Sequence, residues 1–441
     1  MTYQETIQLL YDATPQFQRI GAAAYKPGLD TACKLAASFG NPEGKFRSVH
    51  VAGTNGKGST CHTLAAVLQS AGYKVGLYTS PHLIDFRERI RVNGEVISEH
   101  GVIDFMKRYN AMALDLSPSF FELTTIMAFD WFASQGVDIV IIETGLGGRL
   151  DTTNIITPLL SIITNISFDH TAQLGNTLAA IASEKAGIIK PGVPVIIGNP
   201  TSAEVLKVFV DKAAEQNSRL IFSQGPEKPF QHAIHLPAGN AVLYPATPFG
   251  DITSELTGDY QSENAANVMA AVMELREIGF DIPDNAVAEG FANVTKLTRL
   301  MGRWMKVGDN PTVICDTGHN EGGWRWLSQT LRLQNFKVAK QQGKLAMVIG
   351  FVNDKDVSAI LKLMPKDALY FFTQASIPRA MAADEVAKRA IASGLDGKVV
   401  ANVAEAVNQA KAAAGTRGMV FVGGSTFVVA DFLASIQNTT N

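Results

Sequence analysis

The stretch Val49-His50-Val51-Ala52-Gly53-Thr54-Asn55-Gly56-Lys57-Gly58-Ser59-Thr60 decides the fold. A β-branched apolar run gives way to a glycine loop, and a helical pattern over 57–71 follows it. Strand, glycine loop and helix N-terminus, in that order, suit a phosphate-binding turn. Glycines let backbone N–H groups converge on phosphate oxygens, and the helix end adds free donors and a favourable dipole. Lys57 would neutralise β/γ-phosphate charge, and Ser59 or Thr60 would lie near Mg²⁺. The spacing departs from the standard phosphate loop. Two residues rather than four separate Gly53 from Gly56-Lys57, and Gly58 intrudes before Ser59. A plain glycine-rich turn is the alternative reading of these residues alone.

Working outward, Phe46 to Ala52, Lys74 to Thr79, Asp138 to Glu143, Leu159 to Asn165 and Val193 to Gly198 read as strands buried on both faces. Helical stretches at 57–71, 121–135, 176–187 and 201–216 alternate with them. The fold class is therefore α/β, with a parallel sheet covered by helices. Asn93-Gly94, inside Arg89-Ile-Arg-Val-Asn-Gly-Glu-Val-Ile, predicts a tight hairpin. A second strand series follows residue 300: Thr312 to Cys315, Lys344 to Ile349, Ala368 to Phe372, Lys398 to Ala401 and Gly418 to Val422. The segment from Lys296 to Trp304 marks the crossing, which places a larger domain at 1–298 and a smaller one at 299–441.

Composition narrows the function classes. The chain has 441 residues, 38 Lys+Arg against 41 Asp+Glu, and a net charge of −3, which argues against a nucleic-acid footprint. No apolar run has the length of a membrane span, and the start carries no signal pattern. Cys33, Cys61 and Cys315 are too few and too scattered for a disulfide framework or a CxxC metal site. The expectation is a soluble, cytoplasmic protein.

Polar residues gather where strands end. Glu143 closes the run Asp138-Ile-Val-Ile-Ile, Asp169-His170 follows the next strand, and Ser80-Pro81-His82 follows the strand ending at Thr79. Ligands in open α/β sheets sit outside the carboxyl ends of strands, on the phosphate loop's side. A hard cation prefers oxygen, so Glu143 and Ser80 are natural ligands and His170 alone is not. Taken singly, each is as well explained as a satisfied strand-end polar group. Lys185, near the end of a helix, reads by itself as a surface lysine.

The glycine loop, Glu143-Thr-Gly-Leu-Gly-Gly-Arg-Leu-Asp-Thr-Thr-Asn154, Asp169-His170-Thr171 and Glu184-Lys185-Ala186-Gly187 occur in order at compatible spacings. Together they resemble the folylpolyglutamate synthase/dihydrofolate synthase family, relatives of the peptidoglycan Mur ligases. The resemblance runs on through Gln261-x-x-Asn264, Gly302-Arg303, Asp316-Thr-Gly-His319-Asn320, Gly350 to Asp356 and Gly423-Gly424-Ser425. It implies a phosphate-loop ATPase domain followed by a Rossmann-like glutamate-ligase domain, with MgATP bound between them. By resemblance, Lys57 and the loop residues Gly53, Thr54, Asn55, Gly56, Gly58, Ser59 and Thr60 hold phosphates. Asn264, Arg303, Asp316 and His319 contact nucleotide. Ser59, Ser80, Glu143 and His170 hold magnesium, with Lys185 matching a lysine that CO₂ carbamylates. Ser119, Phe121 and Asp151 fall near the pterin-binding segment. Phe121 is equally read as core, Asp316 as a cap for the following helix, and His319 as an ordinary loop residue.

The resemblance implies a monomeric enzyme that joins L-glutamate to dihydropteroate or to a reduced folate through an acyl phosphate, consuming ATP. Met301-Gly302-Arg303 and Asp316-Thr317-Gly318 depart from the Pro-Gly-Arg and Asp-x-Ala common in relatives. The nearest alternative is a Mur-type ligase of peptidoglycan synthesis. The 52 residues ahead of Gly53 are expected to be too few for the sugar-nucleotide domain such a ligase carries. A non-catalytic nucleotide switch is the alternative from another class.

Overall fold

The structure is a computed structural model that describes residues 1–14, 28–223, 232–236, 241–353 and 357–440. Two compact units divide the chain, Met1–Leu300 and Met301–Asn441.

In the first unit the apolar runs form β1 (Ser48–Ala52), β2 (Val75–Tyr78), β3 (Ile90–Val92), β4 (Glu95–Val96), β5 (Ile139–Glu143), β6 (Leu160–Asn165), β7 (Val195–Asn199) and β8 (Leu220–Phe222). They join in one sheet of order β4-β3-β2-β5-β1-β6-β7-β8. The six strands from β2 through β5, β1, β6 and β7 to β8 are parallel. Strands β3 and β4 add an antiparallel edge. Asn93 and Gly94 make the tight turn between β3 and β4, both in the left-handed region.

All five residues of β1 and of β5 are buried, the signature of strands covered on both faces. One face packs under the helix Lys57–Ser70, whose residues 58–68 are buried without a break. Helix Asp284–Ala292 lies against it so closely that a Cβ on Gly290 would come 2.5 Å from the Cα of Val67. The other face carries helix Phe120–Gln135 and an aromatic cluster of Phe86, Phe105, Phe120, Phe129 and Phe132.

The predicted helix over 176–187 resolves into Thr171–Leu174 and Leu178–Ala186, separated at Gly175. A small antiparallel sheet of β9 (Ile234–His235), β10 (Val242–Thr247) and β11 (Gly250–Ser254) has no counterpart in the sequence reading.

The second unit holds β12 (Met305–Asp309), β13 (Thr312–Cys315), β14 (Leu345–Ile349), β15 (Leu369–Phe372), β16 (Gly397–Val399) and β17 (Met419–Gly423), in the order β12-β13-β17-β14-β15-β16. All neighbours are parallel except β12. Strand β12 was unforeseen, and β16 begins one residue earlier than the apolar pattern suggested. Residues 354–356 of the Gly350–Asp356 stretch lie outside the described residues. Among the described residues no helix is long and apolar enough to cross a membrane, and Cys33, Cys61 and Cys315 are free thiols.

Candidate active site

The glycine loop is clamped from two sides. A Cβ on Gly53 would lie 1.9 Å from Thr164 Oγ1, and one on Gly56 would lie 2.1 Å from Asn264 Oδ1. Both glycines also have positive φ, 148° and 84°, which side-chain-bearing residues avoid. The end of β6 fixes the loop further. Thr54 N–H donates to Asn165 O at 3.0 Å, Asn55 N–H to Asn165 Oδ1 at 2.9 Å, and Thr164 Oγ1 to Asn55 O at 2.5 Å.

The helix that follows has no side-chain cap; its first turn closes when Thr60 N–H donates to Gly56 O at 2.9 Å. The N–H groups ahead of Thr60 therefore have no capping side chain, which is the arrangement that receives an anion. From helix Gln261–Glu277, Gln261 Nε2 donates to Ser59 Oγ at 3.2 Å and Asn264 Nδ2 to Gln261 Oε1 at 2.8 Å. Asn264 is thus a wall of the loop.

Two lysines share one acceptor. Lys57 Nζ folds back onto Gly53 O at 3.1 Å and Thr54 O at 3.2 Å, and Lys185 Nζ donates to Gly53 O at 2.8 Å. Lys185 is 4% exposed, which overturns its reading as a surface lysine. Burial first, and then the neighbouring Lys57 cation, bring its pKa down to about 7. The amine is therefore substantially neutral at physiological pH.

Strand order puts the carboxyl ends of β2, β5, β1 and β6 side by side; Glu143 closes β5, while Ser80, Gly53 and His170 come after β2, β1 and β6. Ser80 N–H donates to the buried Glu143 Oε2 at 3.1 Å. His170 sits at φ 49° ahead of helix Thr171–Leu174, with its Nε2 3.8 Å from Asp169 Oδ1. Among the described residues no group of three or more His, Cys, Asp and Glu side chains could hold a metal. The donors on this edge are instead hydroxyls, one carboxylate and one imidazole, an oxygen-rich set suited to a hard divalent cation. Two buried hydroxyls on the same segments, Thr60 Oγ1 and Thr144 Oγ1, have no hydrogen-bond partner, which fits an added ligand.

The three pterin-side candidates are placed differently. Ser119 caps helix Phe120–Gln135 in a reciprocal pair with Glu122, so its hydroxyl already accepts a backbone N–H at 3.2 Å. Phe121 is half-buried, packs against the aromatic cluster, and lies so close to Gly145 that a Cβ there would be 2.4 Å from its ring. Its ring centroid is 6.0 Å from that of Tyr78. Asp151 is buried and accepts N–H bonds from Leu146 at 2.7 Å and Thr153 at 3.0 Å, holding the loop after β5. Burial raises its pKa.

Behind Asp151 stands His50, which the sequence reading passed over. Its Nε2 is 2.8 Å from Thr153 Oγ1, and that hydroxyl donates to Asp151 Oδ1 at 2.5 Å. Since the hydroxyl proton goes to Asp151, His50 Nε2 is the donor. Burial holds this imidazole neutral, with a pKa of about 3. A histidine interrupting an apolar strand was the available signal.

In the second unit the candidates cluster at the end of β13. Asp316 accepts N–H bonds from Trp304 at 2.7 Å and Gly318 at 2.8 Å. It does not cap the next helix; Asn320 does, accepting from Gly323 N–H at 2.9 Å. Arg303 donates to Thr317 Oγ1 and to Gly302 O, and His319 Nδ1 lies 3.0 Å from Thr317 O.

Comparison with known proteins agrees with this geometry. Residues 51–273 match the Mur ligase middle domain and residues 302–426 the Mur ligase glutamate ligase domain. The chain is 38% identical over 373 residues to the dihydrofolate synthase/folylpolyglutamate synthase of Bacillus subtilis, covering 82% of this chain and 84% of that one. Among solved structures, Escherichia coli FolC in complex with DHPP and ADP superposes with a TM-score of 0.85 at 30% identity, covering 100% and 99% of the two chains. A bifunctional folylpolyglutamate synthase/dihydrofolate synthase with Mn, AMPPNP and L-glutamate bound gives a TM-score of 0.81 at 29% identity, covering 99% and 98%. An uncapped glycine loop, a buried lysine beside it and likeness over nearly the whole chain converge: the chain belongs to the dihydrofolate synthase/folylpolyglutamate synthase family of the Mur ligase superfamily.

Proposed function

We propose that this enzyme, an ATP-dependent amide-forming ligase, joins L-glutamate both to dihydropteroate and to the glutamate tail of reduced folates. The observation that carries the reading is the buried Lys185, bonded to the same Gly53 carbonyl as Lys57. Such a lysine has no packing purpose, since burying an ammonium group is costly unless its charge is used or shed. A neutral amine adds CO₂ and releases a proton, giving an anionic carbamate on a long stem.

In this reading Ser59, Ser80, Glu143, His170 and the carbamate of Lys185 would hold a magnesium ion, which would offset charge on the β- and γ-phosphates. Gly53–Thr60 and Asn264 seat the triphosphate, with Lys57 turning from its loop carbonyls to the phosphates. By the resemblance, Arg303 would add a second cation. The substrate's carboxylate oxygen attacks the γ-phosphorus in line, forming an acyl phosphate and ADP. The neutral amine of glutamate then attacks the acyl carbon, and phosphate leaves. The protein contributes positioning and charge stabilisation. Because Asp316 holds two backbone N–H groups, His319 is the better-suited acceptor for the amine's proton. Phe121, Ser119 and Asp151 would bound the pteridine.

The peptidoglycan-ligase and nucleotide-switch readings are not favoured. By its resemblance the enzyme acts as a cytoplasmic monomer. ADP release measured with dihydropteroate and, separately, with tetrahydrofolate, each with and without glutamate, tests the proposal. Glutamate-dependent turnover with both acceptors is expected. Activity with one alone removes the dual assignment, and activity with neither removes the function.

A further inference from the structure

Arg89 is the last residue of the short turn Phe86–Arg89, immediately before β3, and is 3% exposed. A guanidinium so deeply placed normally answers a carboxylate, because an uncompensated buried charge is strongly disfavoured. Its neighbour Glu88 is engaged elsewhere. The Glu88 carboxylate accepts the N–H groups of Leu83, Ile84 and Asp85 at 2.8, 2.9 and 2.8 Å. Arg89 Nε donates to His82 Nδ1 at 2.8 Å, and the guanidinium carbon lies 5.2 Å from the centre of the Phe120 ring.

Among the described residues Arg89 forms no ion pair, and its two terminal NH₂ groups have no hydrogen-bond partner. Two forked donors on a fixed, buried cation are therefore left without a protein acceptor among the described residues.

The surroundings say what belongs there. His82 is two residues beyond Ser80, whose N–H bonds Glu143. Glu143 is itself among the charges acting on Arg89. Phe120 stands between Ser119 and Phe121. The cation thus touches His82, two residues from the edge assigned to the phosphates, and Phe120, beside the residues assigned to the pteridine. We infer that Arg89 binds the carboxylate of the pteridine substrate that is to be joined to glutamate, offering its terminal N–H pair to the two oxygens. This rests on the folate reading above.

A planar fork matches a carboxylate in a bidentate manner, which a point charge does not. The need is electrostatic as well: the incoming acid must approach a triphosphate and Glu143, all anionic, and a fixed cation offsets that repulsion. A neutral ring oxygen would leave the buried charge uncompensated.

The test uses the full-length protein, with Arg89→Gln and Arg89→Lys beside the wild type. Titration calorimetry compares dihydropteroate with the same pteridine-aminobenzene framework lacking the carboxylate. In Arg89→Gln, dihydropteroate affinity is expected to fall about tenfold or more, the range for a charge-assisted bond, while the decarboxylated ligand changes less than about twofold. Equal losses for both ligands, or none for either, overturn the assignment. Should Arg89→Gln fail to fold, Arg89→Lys decides: the advantage of the carboxylate ligand over its analogue must shrink relative to wild type, and an unchanged advantage overturns the assignment. A wild-type protein that binds neither ligand sinks the folate reading itself, whereas binding of both with an unaltered preference sinks Arg89 alone.

Discussion

At the end of β1 the chain runs through Gly53–Gly56 into a helix with no capping side chain, whereas at the end of β13 it runs through Asp316–His319 into a helix that Asn320 closes. Both are strand-loop-helix units on a parallel sheet. In the second, one orphan donor of the first turn, Gly323 N–H, is met by the Asn320 oxygen, and Asp316 satisfies the turn before it. In the first, the capping position is Gly56, which has no side chain to do the same, and two lysines supply charge instead. The unit proposed to bind the phosphates is the one left unfinished by its own sequence. Supersecondary structure alone does not distinguish them; the capping residue does.

The sharpest way to break the contrast is to remove charge management from the first edge. Glu143→Ala is expected to lower metal-dependent ADP release by on the order of 10³-fold, the scale of losing a principal electrostatic group, with the fold intact by circular dichroism. Near-normal turnover would deny Glu143 its ligand role. A milder break is Gly56→Ala. Its methyl would meet Asn264 at a φ that alanine adopts only with strain, so the KM for ATP should rise about tenfold or more while that for dihydropteroate holds. Equal rises in both would mean that the loop is a general scaffold.

Lys185 sharpens the comparison through pH. Its amine loses a proton near pH 7 in the folded chain rather than near 10.5. Activation by bicarbonate of enzyme prepared free of CO₂ should therefore grow as pH rises from 6 to 8, since the ammonium form cannot add CO₂. Activation independent of pH would remove the carbamate. The same shift has a stability sign. Between the two pKa values the unfolded chain binds more protons, so this group's contribution to stability rises with pH across that window.

The smallest effect belongs to the second edge. Asn320→Ala should reduce stability by about 1 kcal/mol in urea melts and leave the KM for ATP unchanged. A large rise in that KM would make the two strand ends functionally alike after all.

Most of the parallel architecture was legible because strands buried on both faces are near-continuous apolar runs. The Asn93-Gly94 turn was legible because only a two-residue left-handed turn suits that pair. Strand β10 was not: Pro245 interrupts its short apolar run, so neither period stands out. Strand β12 carries Gly308 in a partly exposed edge and offers no apolar run. For the candidate site, motif order pointed to Gly53–Thr60, Glu143 and Lys185. The burial of Lys185 was invisible, because a lysine near a helix end looks solvated whatever lies above it. His50, Thr164 and Asn165 were missed because they act on the loop or on Asp151 from more than a hundred residues away in the chain. The alternative reading of Asp316 as a cap falls away because Asn320, four positions on, takes that role.

The contact of Gly290 with Val67 carries a separate lesson. Where two helices meet main chain to main chain, no intervening atoms can be trimmed or lengthened to let one roll over the other. The helix whose bare N-terminus is proposed to meet the nucleotide is therefore seated on an unyielding bearing. Even the addition of a single methyl at position 290 would tilt that bearing and misdirect donors a full helix length away.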